Sequence, residues 1–202
     1  TGSGKTSLAK LFMEFYSPDK GHIYVDGAEL QNFEVQEIRK AVVYVSQEDF
    51  LFTASVRENL KMGNEEISDE EMIEISRKMG VHQFVSKMER EYDSVLEERG
   101  KNLSKGQRQK LSLTRAILRH PKILILDEAT SNMDSISERE ILNYIKGIRD
   151  ITLILISHRI NVIADSDCIY VLQKGNIVAR GTDEQLKEQC ELYRQLYGEE
   201  EK

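Results

Sequence analysis

The sequence predicts an α/β fold, a mostly parallel sheet covered by helices on both faces, with a solvated helical subdomain attached. Three observations carry this. From residue 120 onward, apolar runs alternate with helical patterns: strand 123–126, helix about 136–148, strand 152–156 and helix about 159–164. A further apolar run, Val42 to Val45, stands upstream as another strand. Residues 63 to 100 hold 11 acidic and 5 basic side chains, so −6 of the total charge of −7 falls on that one stretch. Such charge density describes a solvated surface.

The elements follow in order. Thr1-Gly2-Ser3-Gly4-Lys5-Thr6 leads into Leu8, Leu11, Phe12 and Phe15 at helical spacing. Ser17-Pro18-Asp19-Lys20-Gly21 ends that helix, and Ile23-Tyr24-Val25 before Asp26-Gly27 reads as a short strand and turn. The strand 42–45 ends in Ser46-Gln47. From about Ser55 to Met88 the pattern is helical, with Val56, Leu60, Met72, Ile73, Ile75 and Met79 apolar. Residues 101 to 119 reverse the charge with six bases (Lys101, Lys105, Arg108, Lys110, Arg115, Arg119) and no acid. Leu111, Leu113, Ala116, Ile117 and Leu118 supply the buried stripe of that helix. Beyond residue 164, strands at 168–172 and 177–179 flank a Lys174-Gly175-Asn176 turn, and two short helices with an acidic tail follow.

Composition excludes several classes. Of 202 residues, 40% are apolar and 31% charged, which is a folded composition and not a disordered or disulfide-scaffold one. A net charge of −7 argues against a general nucleic-acid or anionic-membrane coat. The runs Ile123 to Leu126 and Leu153 to Ile156 fall far short of the roughly 20 apolar residues that span a bilayer as a helix. Cys168 and Cys190 read as two reduced thiols. The opening on a threonine inside a glycine loop is expected of a fragment.

Gly2-Ser3-Gly4-Lys5-Thr6 entering a helix reads as the second half of a phosphate-binding loop. Glycines let backbone N–H groups turn toward one centre, and the helix N-terminus adds partial positive charge. Lys5 can reach β- and γ-phosphates, and the Thr6 hydroxyl can bind Mg²⁺. The plain alternative is a Gly-Ser turn with a solvated lysine. Ile123 to Leu126 runs into Asp127-Glu128, and a parallel strand ending in carboxylates sets them at the edge where ligands bind. Asp127 would hold Mg²⁺ through its water shell and Glu128 would polarise an attacking water, unless this is an ordinary charged strand end. Together the two features point to a nucleoside triphosphatase. Leu103-Ser104-Lys105-Gly106-Gln107-Arg108-Gln109 sets a hydroxyl and a glycine at another helix start, a second anion-binding end. Two such ends in one chain suggest that two chains share a nucleotide. Gln47 can offer an amide oxygen to metal or water, and His158 can hydrogen-bond a γ-phosphate oxygen. Taken singly, each has an ordinary reading: a surface Gln, a capped helix, a strand-end His.

In this order the motifs resemble the nucleotide-binding domain of ABC transporters, over essentially the whole chain. Gly2 to Thr6 is similar to Walker A, Gln47 to the Q-loop, and Leu103 to Gln107 to the signature motif. Asp127-Glu128 is similar to Walker B with its catalytic Glu, Ser131-Asn132-Met133-Asp134 to the D-loop, and His158 to the H-loop. Phe52 to Leu60, Glu97-Glu98-Arg99-Gly100, Ser157 to Ile160 and the Gly181 to Tyr197 ending are exporter-like.

The resemblance implies a RecA-like P-loop NTPase core over 1–54 and 120–202, a helical subdomain over about 55–119, and the remnant of an antiparallel β subdomain. It implies ATP and Mg²⁺ as ligands. Gly2, Ser3, Gly4, Lys5, Thr6 and Ser7 would hold the phosphates, and Thr6, Gln47 and Asp127 the metal. Glu128, Gln47 and His158 would serve hydrolysis. Ser104, Gly106, Gln107 and Asp134 would face a nucleotide held by a second domain, two domains sandwiching two ATP head to tail. Transmembrane domains are expected upstream, which sets the domain on the cytoplasmic face of the cell membrane, with no nucleic-acid partner.

Two departures stand out. The third signature position, usually Gly, is Lys105, which either weakens the half-site or is tolerated with its side chain turned away. The first strand, the first loop glycine and the adenine-stacking aromatic have no counterpart here, so the fragment itself is expected to be inactive. The rival reading is a soluble ABC-type ATPase on nucleic acid, with the basic 101–119 stretch as its contact surface.

Overall fold

Two compact units make up the chain, one of residues 35–154 and one of 1–34 with 155–202. The computed structural model describes residues 3–48 and 50–200.

In the 35–154 unit, the sheet forms where the apolar runs predict it. After a short helix α2 (Val35–Ala41), strand β3 (Val42–Val45) pairs in parallel with β4 (Ile123–Asp127), Val42 opposite Ile123 and Val45 opposite Leu126. Strand β5 (Thr152–Ile156), whose residues 152–154 belong to this unit, lies on the other side of β4. Val42, Val43, Val45, Leu124, Ile125 and Leu126 are buried, as a strand covered on both faces requires. Helix α6 (Lys105–Leu118) packs on β3 and on α3 (Val56–Lys61) and α4 (Asp69–Lys78). The helical stretch expected over 55–88 is therefore three helices, the third being α5 (His82–Val85). The break after α4 is a Schellman closure: Gly80 sits at φ +70°, and the Val81 N–H reaches the Ser76 carbonyl at 2.8 Å. Helix α7 (Ser135–Lys146) completes the unit.

In the other unit, α1 (Lys5–Phe12) is followed by a hairpin of β1 (Tyr24–Val25) and β2 (Ala28–Glu29). Its Asp26-Gly27 turn has both φ values positive, the two-residue geometry that matches strand twist. After α8 (Ile160–Ile163), β6 (Ile169–Gln173) and β7 (Asn176–Gly181) form a second antiparallel pair. Helix α9 (Asp183–Gln189) starts on a Thr182–Gln185 capping box, and α10 (Glu191–Glu200) follows. Ile160, Ile169, Val171, Leu186, Cys190 and Tyr193 form its core. Asp183 ties the last two helices, accepting from Tyr193 Oη at 2.8 Å and Tyr197 Oη at 2.6 Å. Among the described residues no helix is long and apolar enough to cross a membrane.

Candidate functional site

The residues that carry the expected chemistry lie in both units. In the first, Gly4 is the N-cap of α1 at φ +93°, and its carbonyl accepts the Leu8 N–H at 2.9 Å. The Lys5 ammonium donates to Ser3 Oγ at 3.1 Å, and the Ser3 carbonyl accepts the Gly175 N–H at 3.2 Å. Thr6 and Ser7 are exposed on the first turn. A helix start of this kind suits anion binding. Gly2 lies outside the described residues. His158, also in this unit, is exposed just beyond β5, and the next residue's N–H, that of Arg159, is held by Ser157 Oγ at 3.0 Å.

In the 35–154 unit, Asp127 closes β4. Its carboxyl accepts the Tyr44 hydroxyl at 2.9 Å, and the group is 6% exposed. Burial, and then the bond to Asp127, push the Tyr44 hydroxyl well above its usual range, so it stays a donor at any physiological pH. Glu128 follows at φ +54°, a left-handed backbone that non-glycine residues seldom adopt and that often marks functional sites. Gln47 lies two residues beyond Val45, whose partner Leu126 directly precedes Asp127. Gln47, Asp127 and Glu128 therefore leave the same carboxyl edge of the β3–β4 pair, Gln47 exposed.

The same unit brings the Ser104 and Asp134 segments together. Ser104 N-caps α6 through a capping box: its Oγ accepts the Gln107 N–H at 3.2 Å, and Gln107 Oε1 accepts the Ser104 N–H at 2.9 Å. Asp134 N-caps α7 by accepting the Ser137 N–H at 2.9 Å, and that backbone bond holds its carboxyl below the usual range. Ser104, Gly106, Gln107 and Asp134 line one open cavity of about 540 Å³, with Gln83 and Phe84 from the α5 side. Lys105 is exposed and also lines it. None of the capping contacts uses its side chain. A Cβ on Gly106 would stand 3.1 Å from the Asn132 carbonyl oxygen, so only glycine lets helix and loop approach this closely.

The basic stretch is not a free cationic face. Arg108 donates to the Leu103 carbonyl at 2.8 Å, Lys110 to Ser137 Oγ at 2.9 Å, Arg115 to the Phe50 carbonyl at 2.8 Å and Arg119 to the Arg39 carbonyl at 2.7 Å. Sequence reasoning gave no site role to Tyr44 or Gln109, and reached Asn132 only as part of the D-loop segment. The hydroxyl interrupting the otherwise aliphatic Val42–Val45 strand was the one available signal for Tyr44.

Comparison with known proteins bears on the family and the fold. The family profile described as ABC transporter matches residues 1–131. The chain is 43% identical to the heterocyst differentiation ATP-binding protein HepA of Nostoc sp., over 94% of this chain and 31% of that protein. It is 40% identical to the lactococcin-G-processing and transport ATP-binding protein LagD of Lactococcus lactis subsp. lactis, over 97% of this chain and 28% of that protein. It thus spans about a third or less of these relatives' length. Among solved structures, a bacterial Atm1-family ABC exporter with ATP bound superposes at a TM-score of 0.94 with 31% identity, covering 99% of this chain and 35% of that one.

Proposed function

The chain belongs to the ABC transporter family, and from that premise we propose that it is the ATP-hydrolysing domain of an exporter, joined to transmembrane domains at the cytoplasmic face of a membrane. The observation that carries this reading is the shared cavity of Ser104, Gly106, Gln107 and Asp134 in the unit that also bears the acid-tipped β4. Such a surface suits the phosphates of a nucleotide that a second copy presents.

In this reading Lys5 and the backbone N–H groups of the α1 start bind the β- and γ-phosphates of ATP. Thr6, Gln47 and Asp127 offer oxygen donors only, the set a hard cation takes, so they fit Mg²⁺. Among the described residues no group of three or more His, Cys, Asp or Glu gathers to hold an ion. When bound, Mg²⁺ neutralises charge on the transferring phosphoryl group. Glu128 takes a proton from the attacking water as its oxygen bonds to the γ-phosphorus and the bond to the β-phosphate oxygen breaks, leaving ADP and phosphate. His158 donates a hydrogen bond to a γ-phosphate oxygen. From the opposite copy, the Ser104 hydroxyl and the amides at the α6 start meet the same phosphates. Four bases of the 101–119 stretch hydrogen-bond to carbonyls and Ser137, which supports a structural role for them over a nucleic-acid contact surface.

Phosphate release from Mg-ATP by the full-length protein tests this. Turnover is expected at an ordinary enzymatic rate, on the order of 1 per second or more, and to vanish when EDTA removes Mg²⁺. Nucleotide-independent behaviour, or turnover indifferent to EDTA, would overturn the assignment.

A further inference from the structure

We propose that Gln109 is a positioning residue, whose buried amide holds the Asn132 main chain on α6 and so presents Ser104 and Asp134 as one preformed surface to a nucleotide carried by a second copy. The inference rests on the function proposed above and adds a residue to it.

Gln109 is fully buried in the middle of α6. Its Oε1 accepts the Asn132 N–H at 3.0 Å. Its Nε2 has no partner among the described residues. A buried amide is ordinarily satisfied at both ends, and an apolar side chain of similar size would serve helix packing without an orphaned donor. What the glutamine contributes here is therefore the acceptor, and that acceptor serves a loop, not the core.

The grip on that loop has three points along one helix. Gly106, one turn before Gln109 on the same face, gives the Asn132 carbonyl its room, while Gln109 takes the N–H of the same residue. One residue on, Lys110 donates to Ser137 Oγ at 2.9 Å. Ser137 in turn is the residue whose N–H Asp134 caps. Both main-chain groups of Asn132 and the first turn of α7 are thus referred to α6, whose own N-cap is Ser104. A loop fixed in this way moves with the helix, and its ordering is already complete when a nucleotide arrives. Releasing Asn132 leaves the phosphate loop at Ser3 to Ser7 untouched and loosens only the face offered in trans.

The test compares wild type, Gln109→Leu, Gln109→Glu and Glu128→Gln in the full-length protein. Leucine removes the acceptor at similar volume, and glutamate keeps an acceptor oxygen in either protonation state. Gln109→Leu is expected to lower kcat about tenfold or more while the affinity of the unpaired domain for an ATP analogue stays within about twofold. Gln109→Glu is expected to restore kcat to within about threefold of wild type. Hydrogen exchange at the Asn132 amide should speed up about tenfold or more in Gln109→Leu and return in Gln109→Glu. Gln109→Met, unbranched like the native side chain, repeats the comparison should leucine disturb the fold. Equal losses for leucine and glutamate, full activity for leucine, or unchanged Asn132 exchange would each overturn the proposal. Glu128→Gln separates the two levels. If wild type releases no phosphate from Mg-ATP, the hydrolytic reading itself fails; if Glu128→Gln still turns over, only the general-base role of Glu128 falls; if it is dead while Gln109→Leu is active, only the role of Gln109 falls.

Discussion

Glu128→Gln in the full-length protein is expected to cut steady-state ATP turnover on the order of 10²-fold or more while ATP remains bound, and to accumulate an ATP-held pair of domains. The reason begins with the strand. Ile123 to Leu126 are apolar enough to bury β4 on both faces, and the chain must turn out of the sheet immediately after Asp127. Glu128 makes that turn at φ +54°, where the surrounding structure has to hold a residue that would otherwise relax. That backbone sets Glu128 directly after Asp127, the residue we assign to Mg²⁺. The amide of glutamine keeps the shape and the backbone constraint but cannot take a proton from water. Binding, which we assign to Lys5 and the α1 start, is expected to stay intact. Phosphate release within about threefold of wild type would remove Glu128 from the role of general base.

Asn59→Leu is expected to cost about 1–3 kcal/mol in stability. Asn59 is fully buried at 0% exposure on α3. Its Oδ1 accepts the Phe52 N–H at 2.9 Å, and its Nδ2 donates to the Phe52 and Ser55 carbonyls, each at 3.0 Å. The side chain thus replaces the missing secondary structure of residues 52–55, which no ladder pairs along its length. Leucine fills a similar volume and leaves the Phe52 N–H without its acceptor, at a cost of about 1–3 kcal/mol, while the Phe52 carbonyl keeps the Ala54 N–H at 2.9 Å. For a domain of this size that cost corresponds to a fall in melting temperature on the order of 5 °C. Thermal unfolding followed by circular dichroism measures it. A loss under about 1 kcal/mol would mean that water reaches these groups and that the segment is not anchored by Asn59.

The parts of the fold that the sequence announced are those governed by local rules. Val42 to Val45, Ile123 to Leu126 and Leu153 to Ile156 form strands because a continuous apolar run of that length has few other solutions. The start of α6 was readable because Ser104 and Gln107 stand at capping-box spacing. Helix α2 was not anticipated, because Ile38 is its one buried apolar position and leaves too faint a stripe. The division of the 55–88 stretch into three helices turned on backbone near Gly63 and Gly80, both at positive φ, which periodicity does not report. At the site, Asp127, Glu128 and Ser104 were legible as residue types at the ends of recognisable elements. Tyr44 and Gln109 were not, since their partners lie 83 and 23 residues away and only packing brings them together.

The central claim is that one nucleotide is held by the Ser3–Ser7 loop of one copy and the Ser104 face of another. Cysteine cross-linking tests it most directly. In full-length protein carrying Glu128→Gln, with exposed Cys168 and buried Cys190 replaced by serine, Ser3→Cys and Ser104→Cys copies are mixed and treated with a bifunctional maleimide spanning about 10 Å, a triphosphate's length being several single bonds. The account predicts a covalent product joining one copy of each kind that forms with Mg-ATP and not without it. Absence of that product while ATP is demonstrably bound, or its formation to the same extent without nucleotide, would contradict it.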